Sequence, residues 1–171
     1  MSAGLRVAPI GIDGWLNLPD RRFNSTNPAE RFYAQALRFD EMFAQPVLPL
    51  RDNRSLKLEA DLAYETATAY HKHVYDYRDI DVILLEGIYL LKRELTAYYD
   101  LSIWLDCTFE TALERAIART QEGLSPDETI NAYNTIYFPA QKIHFERDHP
   151  QEAATMLMVN DPRLGRTLVK P

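Results

Sequence analysis

Short apolar runs alternate with amphipathic stretches along the chain. Residues 81–86 read Asp-Val-Ile-Leu-Leu-Glu and stand before a glycine that lets the chain turn away. Four branched apolar residues without polar alternation are typical of a strand buried on both faces of a parallel sheet. Residues 5–12 and 101–105 are similar runs, and residues 155–159 are a shorter one. These patterns predict four strands.

Helices are predicted between the strands. The dipeptide Asn27-Pro28 suits the start of a helix, and apolar residues then recur at helical spacing as far as residue 43. Pro46 and Pro49 are predicted to end this helix, because proline lacks the N–H that a helix interior needs. Residues 88–99 show a second helical pattern.

Capping signals mark two more helices in the second half of the chain. Thr108 and Ser125 are predicted N-caps, and Pro139 is predicted to kink or end the second of these helices. Weak alternation at residues 56–59 and 66–74 favours two antiparallel strands. Strands that alternate with helices predict an α/β protein with a parallel sheet and flanking helices.

Composition narrows the class of protein. With 171 residues, the chain is predicted to form a single domain spanning residues 1–171. Its net charge of −6 argues against a nucleic-acid partner. Cys107 is the single cysteine, no apolar run approaches the ~18 residues that span a membrane, and no signal segment is evident. The sequence therefore predicts a cytoplasmic protein without a membrane partner.

Two carboxylates follow predicted strands. Asp13 comes after residues 5–12, and Glu86 ends residues 81–86. Ligands of open α/β sheets bind at the carboxyl ends of the strands, so the two side chains are expected at one sheet edge. There they could hold Mg²⁺, or one could take a proton from a hydroxyl nucleophile. The alternative is that each caps a strand end or the following helix.

Arg115 and Arg119 lie four residues apart, so they share a face of the predicted helix. Two guanidinium groups in this arrangement could clamp phosphates through paired hydrogen bonds. The spacing by itself equally suits a solvated helix face that also carries Glu114.

Other side chains have less specific patterns. Tyr75 and Tyr77 could stack on a base, although interior packing is the commoner fate of tyrosine. His71 and His73 would lie on one side of a strand as a metal pair, but no third ligand is evident nearby. Cys107 is more typical of a small core residue than of a nucleophile.

Taken together, these segments resemble the uridine kinase and phosphoribulokinase family of P-loop kinases over nearly the whole chain. Their order and spacing carry the resemblance, since no single motif is decisive. The matching segments are Arg6–Gly14 (strand and acidic motif), Leu85–Ile88 (Glu-Gly motif), Asp100–Asp106 (next strand), Leu113–Arg119 (lid helix), Tyr133 with Pro139, and Met156–Asp161 (closing strand).

The resemblance implies a role for each matching side chain. Asp13 would be the base toward the acceptor hydroxyl, and Glu86 would orient Mg²⁺ or its water. Arg115 and Arg119 would meet the phosphate that is transferred from ATP. Phosphoryl transfer depends mainly on positioning and charge neutralisation, which these groups could supply.

Three features depart from the family pattern. No Gly-x-x-x-x-Gly-Lys-[Ser/Thr] phosphate loop is present, as if the family's first strand, loop and helix were missing. We therefore expect weak ATP binding, little activity, and a slot of roughly 10 Å between residues 81–86 and 101–105.

The lid has two arginines where the family often has three. The dipeptide Tyr75-Asp76 with Tyr77 resembles the uridine-binding motif, but it lies unusually close to the Glu-Gly strand.

Three classes of function remain open from the sequence. The first is a phosphotransferase that acts on a small hydroxylated metabolite: a nucleoside such as uridine, a sugar phosphate or a pantothenate-like alcohol. The second is a non-catalytic binding or regulatory protein on the same scaffold. The third is a Mg²⁺-dependent phosphohydrolase that uses Asp13 and Glu86, which would need more carboxylates than the sequence places there. A homo-oligomer is compatible with each class.

Overall fold

Two parallel strands, β1 (Val7–Gly11) and β4 (Val82–Glu86), form the first ladder of the fold. In the computed structural model, their register places Gly11 opposite Glu86 at the carboxyl ends of the strands. A second parallel ladder joins β5 (Ile103–Asp106) to β6 (Met156–Val159). The mixed α/β class with parallel strands and flanking helices is thus confirmed.

The chain divides into two compact units. The structure describes residues 4–23 and 26–164 of the chain. The first unit consists of residues 1–24 and 34–88, and the second consists of residues 25–33 and 89–171. The β1/β4 ladder belongs to the first unit and the β5/β6 ladder to the second, as separate two-stranded sheets. The single-domain assignment and the slot between the strands stay predictions.

The helices of the described chain are mostly short. They are α1 (Pro19–Phe23), α2 (Pro28–Gln35), α3 (Phe39–Met42), α4 (Leu48–Asn53), α5 (Phe109–Arg119), α6 (Pro126–Ala132), α7 (Phe138–Asp148) and α8 (Pro150–Ala153). Asn27 caps α2 through its side chain, and Thr108 and Ser125 cap α5 and α6 as predicted. These caps satisfy N–H groups that have no partner within the first turn of a helix.

The two predicted antiparallel strands are present as β2 (Leu56–Leu62) and β3 (His71–Tyr77), but β3 begins later than the pattern at residues 66–74 indicated. Tyr77 of β3 donates a hydrogen bond of 2.7 Å to the carbonyl oxygen of Pro9 in β1. Pro9 has no N–H to give to a ladder, so β1 suits the edge position that it occupies beside β4.

Residues 88–99 do not form the predicted helix. Tyr89 has a φ of +58°, in the left-handed region, and the N–H groups of Lys92, Leu95 and Tyr98 bond three residues back. The segment is a series of tight turns that ends in a 3₁₀ turn over Thr96–Tyr98. Tyr89 and Leu95 are buried, which shows that packing of these apolar residues outweighs their helical spacing.

The prolines do not end helices where the sequence predicted. The first helix stops at Gln35, well before Pro46, and a later helical stretch runs through both Pro46 and Pro49. A π-helical turn contains Pro46, and Pro49 lies in the first turn of α4, where an N–H is dispensable. Pro139 likewise follows a π-helical turn and lies in the first turn of α7.

The apolar runs predicted strands that are buried on both faces, but in the structure the parallel strands each have an exposed face. In the first unit, Leu84 of β4 is 52% exposed. In the second unit, Ile103 and Leu105 of β5 and Met158 of β6 are also exposed. The opposite face of β5 packs inward, where Trp104 lies edge-on to Phe145 of α7 at 5.6 Å between ring centroids.

A buried polar cluster holds the second unit together. Asp148 accepts hydrogen bonds from the Tyr33 hydroxyl at 2.7 Å and from the backbone N–H of Arg93 at 3.0 Å, and it lies 2.6 Å from Nδ1 of His144. Burial acts to raise the pKa of Asp148, but these hydrogen bonds outweigh it and lower the pKa. Lys92 donates to the carbonyl oxygen of Tyr33 at 3.0 Å. The cluster therefore ties α2 and α7 to the turns after residue 88.

This cluster predicts a loss of stability in mild acid. Burial lowers the pKa of His144 below its ordinary value, although the adjacent Asp148 acts in the opposite direction. The unfolded chain then takes up a proton at about pH 6.5 while the folded chain does not, so stability is lost as the pH falls below that value. We expect the midpoint temperature of thermal unfolding to decrease as the pH is lowered from about 7.5 to about 5.5.

Two histidine variants test this prediction. His144→Gln removes the titrating group, so the fall in the midpoint should become smaller over the same pH range. His71→Gln removes an exposed histidine and should leave the fall unchanged. Equal pH profiles for the wild type and His144→Gln would contradict the assignment.

Candidate functional site

Asp13 and Glu86 lie at the same end of the β1/β4 ladder. Gly11 and Glu86 are opposite each other as the last residues of their strands, and Asp13 follows in a 3₁₀ turn over Ile12–Gly14. Glu86 is exposed and Asp13 is half-buried. Parallel register explains this arrangement, because it brings the carboxyl ends of both strands to one edge. The chemical roles of the two carboxylates stay predictions.

Gly87 fixes the way in which the chain leaves this edge. Its φ of +138° lies in a region that side-chain-bearing residues rarely adopt. A Cβ at this position would lie 1.8 Å from Cγ2 of Ile12. The side chain of Ile12, which is buried, therefore occupies the space beside Gly87 and locks the turn after β1 against the end of β4.

Tyr75 and Tyr77 belong to the packing of the first unit. Tyr75 is only 6% exposed, and its hydroxyl accepts a hydrogen bond of 3.2 Å from Nε1 of Trp15. The two tyrosine rings stack at 6.0 Å between centroids, and the hydroxyl of Tyr77 donates to Pro9. Burial raises the pKa of both phenols. Both hydroxyls thus have partners within the fold, and a substrate-binding role for the tyrosines stays a prediction.

Arg115 and Arg119 both project from α5 in the second unit, and both are exposed. Arg115 lies 3.5 Å from Oδ1 of Asn160. Arg119 donates to Glu122 at 3.1 Å and lies 3.3 Å from the hydroxyl of Tyr133. The ion pair of Arg119 with Glu122 is solvent-exposed on the arginine side, so a phosphate could compete for this guanidinium.

Sequence reasoning missed Asn160, which contacts Arg115. Asn160 directly follows β6, just as Asp13 follows the run that forms β1. The criterion that selected Asp13, a polar residue just after a predicted strand, would therefore also have selected Asn160. The next residue, Asp161, accepts hydrogen bonds from the backbone and side chain of Thr108 and from the hydroxyl of Thr111. Asp161 therefore fixes the end of β6 to the start of α5 and sets the position of Asn160.

The remaining candidates find structural partners. The ring of His71 stacks on Tyr64 and the ring of His73 lies edge-on to Tyr75. Burial raises the pKa of the Cys107 thiol, which disfavours the thiolate that a nucleophile needs. Across residues 4–23 and 26–164, no group of three or more His, Cys, Asp or Glu side chains could hold a metal ion.

The architecture is similar to that of a known structure. A solved structure described as that of a possible uridine kinase from Bacillus stearothermophilus matches with a TM-score of 0.65 at 17% sequence identity. The match covers 90% of this chain and 72% of that chain. At this identity the similarity shows that the two chains share a fold, and nothing beyond the fold. No protein-family model matches the chain.

Within the part of the chain that the structure describes, no helix is both long enough and apolar enough to cross a membrane.

Proposed function

We propose that this chain is the acceptor-binding and lid portion of an ATP-dependent phosphotransferase that acts on the hydroxyl of a small metabolite. The observation that carries the proposal is the placement of Asp13 and Glu86 at one end of a parallel ladder in a kinase-like fold. We propose the cytoplasm as its location, in keeping with its single cysteine.

Each of the four charged side chains has a role in this proposal. Asp13 accepts the proton of the attacking hydroxyl as the bond to phosphorus forms. Glu86 orients Mg²⁺ or its water, and carboxylate oxygens are the donors that this ion prefers. When bound, Mg²⁺ neutralises charge on the phosphates of ATP. Arg115 and Arg119 supply further positive charge to the phosphoryl group from the lid helix.

The phosphate loop is the component that this sequence lacks. Its backbone N–H groups and lysine hold the β- and γ-phosphates in P-loop enzymes. We propose that this chain by itself therefore binds ATP weakly and has little or no activity, and that a strand–loop–helix segment completes the enzyme. Within the first unit, the exposed apolar side chain of Leu84 in β4 supports this proposal, since parallel strands are normally covered on both faces.

The first experiment compares two proteins. ATP is titrated into the 171-residue chain and into the same chain fused to a phosphate-loop segment. We expect micromolar binding for the fusion alone, together with transfer of labelled phosphate to uridine, a sugar phosphate or a pantothenate-type alcohol. Micromolar binding by the unfused chain would contradict the need for a loop.

The absence of a phosphate-loop motif also favours one alternative, a non-catalytic binding or regulatory protein. A folded fusion that binds ATP but phosphorylates no acceptor would support this alternative and contradict the proposed transferase. The acceptor screen therefore decides between the two functions.

A further inference from the structure

Gly11 leaves room for the carboxylate of Glu86. A Cβ built on Gly11 would lie 2.8 Å from Oε1 of Glu86 and 3.9 Å from its Cδ. The first distance is shorter than any normal contact between a methyl group and an oxygen. The carboxylate of Glu86 thus lies across the backbone of the opposite strand, in the space that a side chain at position 11 would fill.

The backbone does not require glycine at this position. Gly11 has φ −80° and ψ 134°, which is extended backbone that any residue can adopt. Glycine within a strand costs stability because it has more conformational freedom to lose and no side chain to pack. Gly87 differs, since its positive φ and its contact with Ile12 both require glycine for the fold. At position 11, the group that an added Cβ would displace is the carboxylate of Glu86.

The carboxylate also lies on the accessible side of the ladder. Alternate residues of a strand face opposite sides, and Ala8 and Ile10 of β1 are buried while Val7 is exposed. Gly11 and Glu86 therefore share the exposed face with Val7. On this face, an ion or a hydroxylated ligand from solvent can reach the carboxylate.

We propose that Gly11 is a positioning residue: because it has no Cβ, the Glu86 carboxylate can lie against the end of β1, where it can bind a divalent cation. The proposal rests on the proposed function, because it deepens the role of Glu86 given there. Oε1 is the far end of a flexible, exposed side chain, so a methyl group at position 11 displaces the carboxylate and leaves the fold in place. Position 11 thus controls the site separately from stability.

The test uses Mn²⁺ as the probe and the full chain. Binding is measured by electron paramagnetic resonance for the wild type, Gly11→Ala and Glu86→Gln. We expect Gly11→Ala to weaken binding about tenfold, equivalent to about 1.4 kcal/mol, and Glu86→Gln to weaken it at least as much. The thermal midpoint of Gly11→Ala should stay within a few degrees of the wild type. Gly4→Ala is the matched control, since nothing lies within 4 Å of its added Cβ.

A shorter acid provides a rescue that a purely structural role would not show. In the double variant Gly11→Ala/Glu86→Asp, the side chain at position 86 is one methylene shorter, so its carboxylate should not reach the new methyl group. Binding of Mn²⁺ should then recover in part. Wild-type binding by Gly11→Ala, with weakened binding by Glu86→Gln, would overturn the role of Gly11.

A metal-free measurement separates this proposal from the function it rests on. The ¹³C resonance of the Glu86 carboxyl group should shift in Gly11→Ala and not in Gly4→Ala. If neither the wild type nor any variant binds Mn²⁺, the cation role of Glu86 fails. In that case a shifted resonance still supports positioning by Gly11, and an unshifted resonance overturns it.

Discussion

Asparagine in place of Asp13 is expected to slow phosphoryl transfer by the loop-completed protein about 10²- to 10⁴-fold. Asparagine has nearly the same shape as aspartate but cannot accept the proton of the attacking hydroxyl. The position of Asp13 in the turn after β1, at the end of the ladder that also carries Glu86, is the reason to assign it this role. The loss should appear in kcat, with little change in KM for ATP.

Single-turnover rates with the acceptor found in the screen provide the measurement. Asp52→Asn is the matched control, because Asp52 is an exposed residue of α4 whose carboxylate pairs with the neighbouring Arg51. Circular dichroism and the thermal midpoint should show that both variants are folded. An Asp13→Asn protein with the wild-type kcat would remove Asp13 from the mechanism.

Alanine in place of Gly87 is expected to lower the free energy of unfolding by about 3 kcal/mol or more. Two costs add at this position. A φ of +138° strains any residue with a Cβ, and the new methyl group would lie 1.8 Å from Cγ2 of the buried Ile12. The clash is with a fixed core side chain, so the turn between Ile12 and Gly14 must shift to relieve it.

Thermal unfolding measures this effect as a fall in the midpoint of about 6–12 °C for a chain of this length. Gly4→Ala should leave the midpoint nearly unchanged. Ile12→Ala removes Cγ2, so the double variant with Gly87→Ala should lose less stability than the sum of the two single losses. Additive losses would show that the contact with Ile12 does not contribute to the cost.

Local signals in the sequence were sufficient wherever a short segment determines its own structure. The side chains of Asn27, Thr108 and Ser125 accept hydrogen bonds from N–H groups within one turn, so their caps could be predicted without knowledge of the rest of the chain. The strand at residues 82–86 was recognisable for a similar reason, since its branched apolar residues favour extended backbone.

Helix boundaries failed where tertiary contacts outweigh local preference. Tyr89 takes a left-handed conformation, and the buried rings of Tyr89 and Tyr33 pack at 5.6 Å between centroids beside His144. No helical spacing in residues 88–99 could reveal this packing. At Pro46, a π-helical turn accommodates the missing N–H, and such a turn has no clear sequence signature.

The sequence by itself determined the α/β class, the strands that end in carboxylates and the candidates Asp13, Glu86, Arg115 and Arg119. Apolar periodicity and residue type depend on neighbours along the chain, which the sequence contains. The tertiary structure alone decided that Gly11 lies opposite Glu86, that Asn160 contacts Arg115, and which strand faces are exposed. These features depend on strand register and on packing between distant segments, and a shift of one residue in register would reverse every face.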